Sequence, residues 1–294
     1  MSERPTITQA MIDAYDDYTH LTLDRRGFME QLTRLAGSGA AAAAIAPLIG
    51  ANAAQAAMVA ADDPRLLSEE TPWPGEGAEM RGYLVRPVES MEKLPAVIVI
   101  HENRGLNEHV RDVARRVALE GFVTLAPDFL SPAGGTPADE DKAREMIGQL
   151  DAEQTTANAA SAIRFLQDGG LSTGAVGAVG FCWGGGLVNR LAVAAPELKA
   201  AVAYYGAQPK AEDAAKIKAG LLLHYAGLDE RINAGIPAYE AALKAARVDY
   251  TVHVYDGVNH AFNNDTSAAR YNEAAAKLAW ERTVAFLQAK LVGA

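Results

Sequence analysis

The chain of 294 residues holds a single cysteine, Cys182, so it can form no internal disulfide and no zinc site of the multi-cysteine type. It also lacks a run of basic residues. With a net charge of −10 and no Lys/Arg cluster, nothing here is suited to neutralising phosphates, which excludes nucleic acid as the expected partner. No internal repeat is visible. The length suits one large α/β domain with a short extra segment.

Uncharged sequence is scarce except in one place. From Ala36 to Ala57 the chain is mostly Ala and Gly, with Pro47 inside it and no charge. Just upstream lies Arg25-Arg26-Gly27-Phe28-Met29. Paired arginines, an apolar stretch and small residues at Ala54-Gln55-Ala56 read as a twin-arginine export signal with an A-x-A cleavage site. Asp24 stands where that motif usually carries Ser or Thr, and Glu30 replaces a frequent Lys. An uncleaved anchor and a helical arm packed on the core are the alternatives. Alanine and glycine insert poorly into lipid, so no stable membrane span is expected after processing. The expected organisation is a leader over 1–57, an extension over 58–79 and the main domain over 80–294. The expected location is periplasmic or secreted, or cytoplasmic if the leader does not function.

Beyond Pro64, Pro72 and Pro74, helical and strand patterns alternate. Met80–Arg86 reads as an edge strand. Ala96–Ile100 is an unbroken apolar run suited to a central strand buried on both faces. Strands are also expected at Phe122–Ala126, Val176–Phe181, Ala200–Tyr205, Leu221–Tyr225 and Tyr250–Tyr255. Helices fit Asn107–Glu120, Ala138–Leu150, Ala152–Gln167, Gly184–Ala194, Ala234–Ala246 and Ala268–Leu291. This order implies an α/β fold with one mostly parallel sheet and helices on both faces. Chemistry in such sheets gathers at the carboxyl ends of the strands, which singles out Glu102, Cys182, Asp229 and His260.

Gly180-Phe181-Cys182-Trp183-Gly184 follows an apolar strand and opens a helix. This is G-x-C-x-G in the setting of a nucleophile elbow. Gly180 and Gly184 allow the sharp turn, the helix start favours thiolate at Cys182, and the Trp183 amide is available to an oxyanion. A nucleophile needs a base and the base an orienter. His260 and Asp229 each follow a strand, in the α/β-hydrolase order nucleophile, acid, histidine. His224 and His253 fall inside strands and read as structural, and His20 lies in the leader. Glu102, after the central strand, is either a proton acceptor for the thiol or an ion-pair partner of a nearby arginine.

The set His101-Glu102-Asn103-Arg104-Gly105-Leu106-Asn107, Ala126-Pro127-Asp128, Gly180–Gly185, Gly227-Leu228-Asp229 and Asn259-His260-Ala261-Phe262 resembles the dienelactone hydrolase family over roughly residues 80–290. The resemblance implies an α/β-hydrolase fold and a Cys182-His260-Asp229 triad. It also implies a Glu102 that contacts the thiol and an oxyanion hole from the Asn103 and Trp183 amides. The substrate implied is a small ester or lactone, with no metal and no organic cofactor. Family members hold a substrate carboxylate with arginines. One of those positions, four residues after the histidine, is Asn264 here, and Arg144 is a candidate for the other. Loss of one arm would cost an anionic lactone on the order of 1.5–3 kcal/mol, which argues against dienelactone itself as the substrate. A thioesterase- or peptidase-like hydrolase on the same triad, or a non-catalytic small-molecule binding protein, are the alternative readings.

Overall fold

The protein is described by a computed structural model covering residues 6–20, 23–50, 57–89 and 92–292. The expected cleavage site Ala54-Gln55-Ala56 lies outside the described residues. Eight strands form one sheet: β1 (Leu66–Pro74), β2 (Glu79–Pro87), β3 (Leu94–Ile100), β4 (Val123–Asp128), β5 (Ser172–Phe181), β6 (Ala200–Tyr204), β7 (Gly220–Ala226) and β8 (Tyr250–Tyr255). Their spatial order is β1-β2-β4-β3-β5-β6-β7-β8, with β1 and β2 antiparallel to their neighbours and the rest parallel. The helices are α1 (Gln9–Thr19), α2 (Arg25–Ala36), α3 (Gly39–Ile49), α4 (Glu108–Leu119), α5 (Glu140–Gly148), α6 (Ala152–Asp168), α7 (Trp183–Ala194), α8 (Glu230–Asn233), α9 (Ile236–Ala246) and α10 (Glu273–Leu291).

The central strand follows from its composition. Ala96, Ile98 and Ile100 face one core layer with α6 and α7, while Val97 and Val99 face the other with α4 and α10. All five are fully buried, so a continuous apolar run is what this position requires. The sheet reverses its winding at β3, which sends the chain to β4 on one side and receives β5 on the other. The crevice beyond the carboxyl ends of β3 and β5 is therefore the place for a site.

Two expectations are corrected. Met80–Arg86 is not the edge strand: β2 lies between β1 and β4, and the edge is β1, drawn from the stretch set apart as an extension. Its prolines concealed it, yet Pro72 and Pro74 are tolerated on an edge strand, where half the backbone amides face outward. The closing helix starts at Glu273 rather than Ala268, because Asn272 caps it through a hydrogen bond from the Ala275 amide (3.0 Å).

The segment before residue 51 packs as three helices with their own small core, in which Tyr15, Tyr18, Phe28, Leu32, Ile45 and Ile49 are buried. It docks on the body through polar links. Asp16 pairs with Arg270 (3.1 Å), the Tyr18 hydroxyl donates to Asp141 (2.6 Å), and Arg104 donates to the Tyr15 hydroxyl (2.7 Å). Among the described residues no single helix is long and apolar enough to cross a membrane; α2 and α3 together would be, but they meet at 111°.

Candidate active site

Cys182 sits between β5 and α7 with φ 55° and ψ −114°. That left-handed backbone is costly for a non-glycine residue and persists only because the turn is packed from all sides. A Cβ at Gly180 would collide with the backbone of Gly184, and one at Gly184 with the backbone of Ile100 and His101. The two glycines thus let β5, α7 and the end of β3 meet. Trp183 is the first residue of α7, so its amide has no acceptor within the helix and is free for an oxyanion. Its indole stacks on His101 at 5.2 Å and 8°. His101 in turn bonds the Glu102 carbonyl (2.6 Å) and accepts from the Phe129 amide (3.3 Å), which ties the second loop to the elbow.

The loops after β7 and β8 bring Asp229 and His260 together, with Oδ2 at 2.5 Å from Nδ1. Asp229 Oδ1 also accepts from the Ile232 amide (3.1 Å), so capping α8 aims the other oxygen at the imidazole. Burial opposes charge on Asp229, but His260 and the capping amide reverse this and hold its carboxyl below the usual range. Burial likewise pulls His260 down, while Cys182 and Asp229 hold it up, to about 10 once the sulfur carries its negative charge. His260 Nε2 is buried and has no hydrogen-bond partner among the described residues.

Other expected residues are placed differently. Glu102 accepts from Asn264 Nδ2 (2.7 Å) and from the Tyr205 hydroxyl (3.4 Å), while the hydrogen-bond partner of the Cys182 sulfur is His20 Nε2 at 3.4 Å. The expected Glu102–thiol contact is thus replaced, because a neutral amide and a buried phenol engage both carboxylate oxygens. Burial, then Glu102 and Cys182, keep the Tyr205 phenol protonated and able to donate. Asn264 serves Glu102 and does not line the cavity. Asn103 donates from its side chain to the Thr19 carbonyl. Arg144 does line the cavity, but its guanidinium lies 3.8 Å over the Tyr18 ring and donates to the Tyr18 carbonyl (3.0 Å).

A cavity of about 180 Å³ opens beside Cys182, lined among others by Thr19, His20, Trp183, Arg144, Arg190 and Arg231. Sequence reasoning missed four of these, Thr19, His20, Arg190 and Arg231. Arg190 was recoverable, since it lies two helical turns beyond Cys182 on the face shared with Gly186. Its Nε is buried without a partner, and burial lowers the affinity of its guanidinium for the proton. Arg231, two residues after Asp229, had the same kind of signal. His20 had none. His224 is structural, as its strand position implied: it is buried between Thr283 (3.1 Å) and the Tyr255 hydroxyl (2.9 Å).

Comparison with known proteins matches residues 80–291 to the dienelactone hydrolase family. A Salmonella typhi protein provisionally assigned as a carboxymethylenebutenolidase is 33% identical over 240 residues, covering 76% of this chain and 88% of that protein. The Escherichia coli K12 hydrolase fragment YghX, also a provisional assignment, is 49% identical over 113 residues, 37% of this chain and 96% of the fragment. A crystal structure from Klebsiella pneumoniae, described provisionally as a dienelactone hydrolase, superposes with a TM-score of 0.68 at 31% identity, covering 75% of this chain and 98% of that one. The matched region contains the elbow, the Asp229–His260 pair and the Glu102 loop, and the α1–α3 segment lies outside it. This chain belongs to the dienelactone hydrolase family and is a hydrolase.

Proposed function

We propose that the protein cleaves a small carboxylic ester or lactone through Cys182, His260 and Asp229. The carrying observation is the buried Asp229–His260 pair at 2.5 Å, whose free Nε2 is aimed into the cavity that holds the Cys182 sulfur. In this reading His260 takes the thiol proton as the sulfur attacks the carbonyl carbon, and the thiolate–imidazolium pair is stabilised by Asp229. The tetrahedral oxyanion rests on the amides of Trp183 and Asn103. His260 then returns the proton to the leaving alcohol, and afterwards activates water to release the acyl group.

Three arginines around one small cavity favour a substrate bearing an anionic group. Arg190 and Arg231 line it with Arg144, and their guanidiniums suit a carboxylate. Hydrolysis of a short aryl ester by wild type and Cys182→Ala tests the reading. Loss of activity by a factor on the order of 10³ or more is expected, and equal rates would remove it.

The export reading belongs here as well. Arg25 and Arg26 open α2 behind the Asp24 cap and stay largely exposed while Phe28 and Leu32 are buried. The pair is therefore accessible to an export receptor although the segment is folded. Residues 1–57 fused to a reporter should direct it across the inner membrane, and Lys at both arginine positions should stop this.

A further inference from the structure

From the contact between the N-terminal segment and the nucleophile, we infer that His20 is a positioning residue that holds the Cys182 sulfur as a thiol in the resting enzyme. The inference deepens the hydrolase reading and rests on it for the role of Cys182.

The argument is one of donors and acceptors. His20 Nδ1 lies 2.6 Å from the backbone carbonyl of Asp16, which can only accept. Nδ1 therefore carries the hydrogen. The Thr19 hydroxyl agrees: it donates to the same carbonyl (3.0 Å), leaving its oxygen as a second acceptor for Nδ1–H at 3.4 Å. A neutral imidazole with hydrogen on Nδ1 presents a bare lone pair at Nε2. That lone pair meets the Cys182 sulfur at 3.4 Å, an attractive contact only if the sulfur brings the hydrogen. Neutrality is supported by burial, which keeps His20 well below the usual histidine range. The ring is fixed from the other side by an edge-on contact with His260, centroids 4.6 Å apart.

His260 Nε2, the acceptor needed for catalysis, also lies beside the sulfur, the three atoms being within 4.8 Å of one another, but it has no well-formed hydrogen bond among the described residues. The sulfur's hydrogen bond thus goes to the histidine that Asp229 does not back. Attack requires the hydrogen bond to pass from His20 to His260, and the ion pair then forms with Asp229 behind it. His20 lies outside the family match, so this guard is supplied by the N-terminal helical segment and not by the matched domain.

Two measurements on the full-length protein test this, and neither needs a substrate. Nitrogen-15 NMR of histidine-labelled wild type reads the tautomer directly, with hydrogen on Nδ1 and a bare Nε2 expected for His20. Hydrogen on Nε2 overturns the inference. Iodoacetamide alkylation of Cys182 is then followed against pH in wild type, His20→Leu and His20→Gln. The groups facing the two residues are His260, Asp229, Arg144, Arg190, Arg231, Glu102 and Tyr205, and all are unchanged in these variants. Leucine removes the acceptor, so alkylation near neutral pH should rise about tenfold with the profile moved to lower pH, while glutamine, which keeps an acceptor, should restore the wild-type profile. A profile unmoved in His20→Leu, or an acceleration equal at every pH, reports packing alone and overturns it. If His20→Leu does not fold, the wild-type tautomer decides. Failure here with Cys182→Ala inactive leaves the hydrolase reading intact; an active Cys182→Ala removes that reading whatever the thiol does.

Discussion

The hydrolase body and the N-terminal helical segment meet at one cysteine and are built on different terms. In the body each reactive side chain leaves a strand end, and its backbone is fixed by a parallel sheet buried on both faces. Among the described residues the segment has three helices, a ten-residue buried cluster and no strand, and it reaches the site through the residue just past α1. Rigid placement and a detachable contact thus act on the same sulfur. A nucleophile can be built by the sheet and restrained by something that is not part of the sheet. Because His20 lies on the leader side of Ala54-Gln55-Ala56, processing at that site would separate the guard from the thiol.

The largest expected effect that bears on this contrast is in the body. Asp229→Asn leaves the α8 cap able to accept from Ile232 but removes the charge behind His260, and kcat should fall by on the order of 10⁴, read by steady-state hydrolysis. A loss under tenfold would mean that His260 is not oriented by Asp229. Next, Gly184→Ala would press a methyl group into the backbone of Ile100 and His101. It should lower stability by at least about 3 kcal/mol in urea unfolding, with activity lost in step.

Removing one cavity charge should act on substrate choice. Arg190→Met is expected to raise KM for an anionic aryl ester by about tenfold or more while leaving a neutral ester nearly unaffected. Equal effects on both esters would place Arg190 outside substrate recognition.

The smaller effects probe the segment. Asp16→Asn removes the partner charge of buried Arg270 and should destabilise docking by about 1–3 kcal/mol. Faster proteolysis between α3 and β1, with unchanged proteolysis elsewhere, is the expected reading. Acid should loosen the protein in a defined direction. Burial holds His20, His101 and His224 below 6.5, so unfolding lets each take up a proton as pH falls through that value. Their contribution is present above 6.5 and declines toward acid, so Tm should drop on acidification, and less steeply in His20→Leu.

Much of the body was legible because its signals are local. An unbroken run at Ala96–Ile100 can only be a strand covered on both faces, and G-x-C-x-G between a strand and a helix has a steric reason at each glycine. Strand β1 was hidden because prolines read as loop wherever the neighbour on each side is unknown. The neighbours of Glu102 were not legible, since the Asn264 and Tyr205 hydrogen bonds that occupy it come from residues about a hundred or more positions away in the chain.

What the residues determined alone was the parallel part of the sheet, the glycine-flanked turn at Cys182 and the order in which Cys182, Asp229 and His260 follow their strands, because each depends on a few consecutive side chains and on backbone sterics. Which histidine the thiol faces, which arginines share its cavity and what holds Glu102 were decided only by tertiary packing. Those are contacts between segments as much as 162 residues apart, and no periodicity or spacing in one segment carries the position of the other.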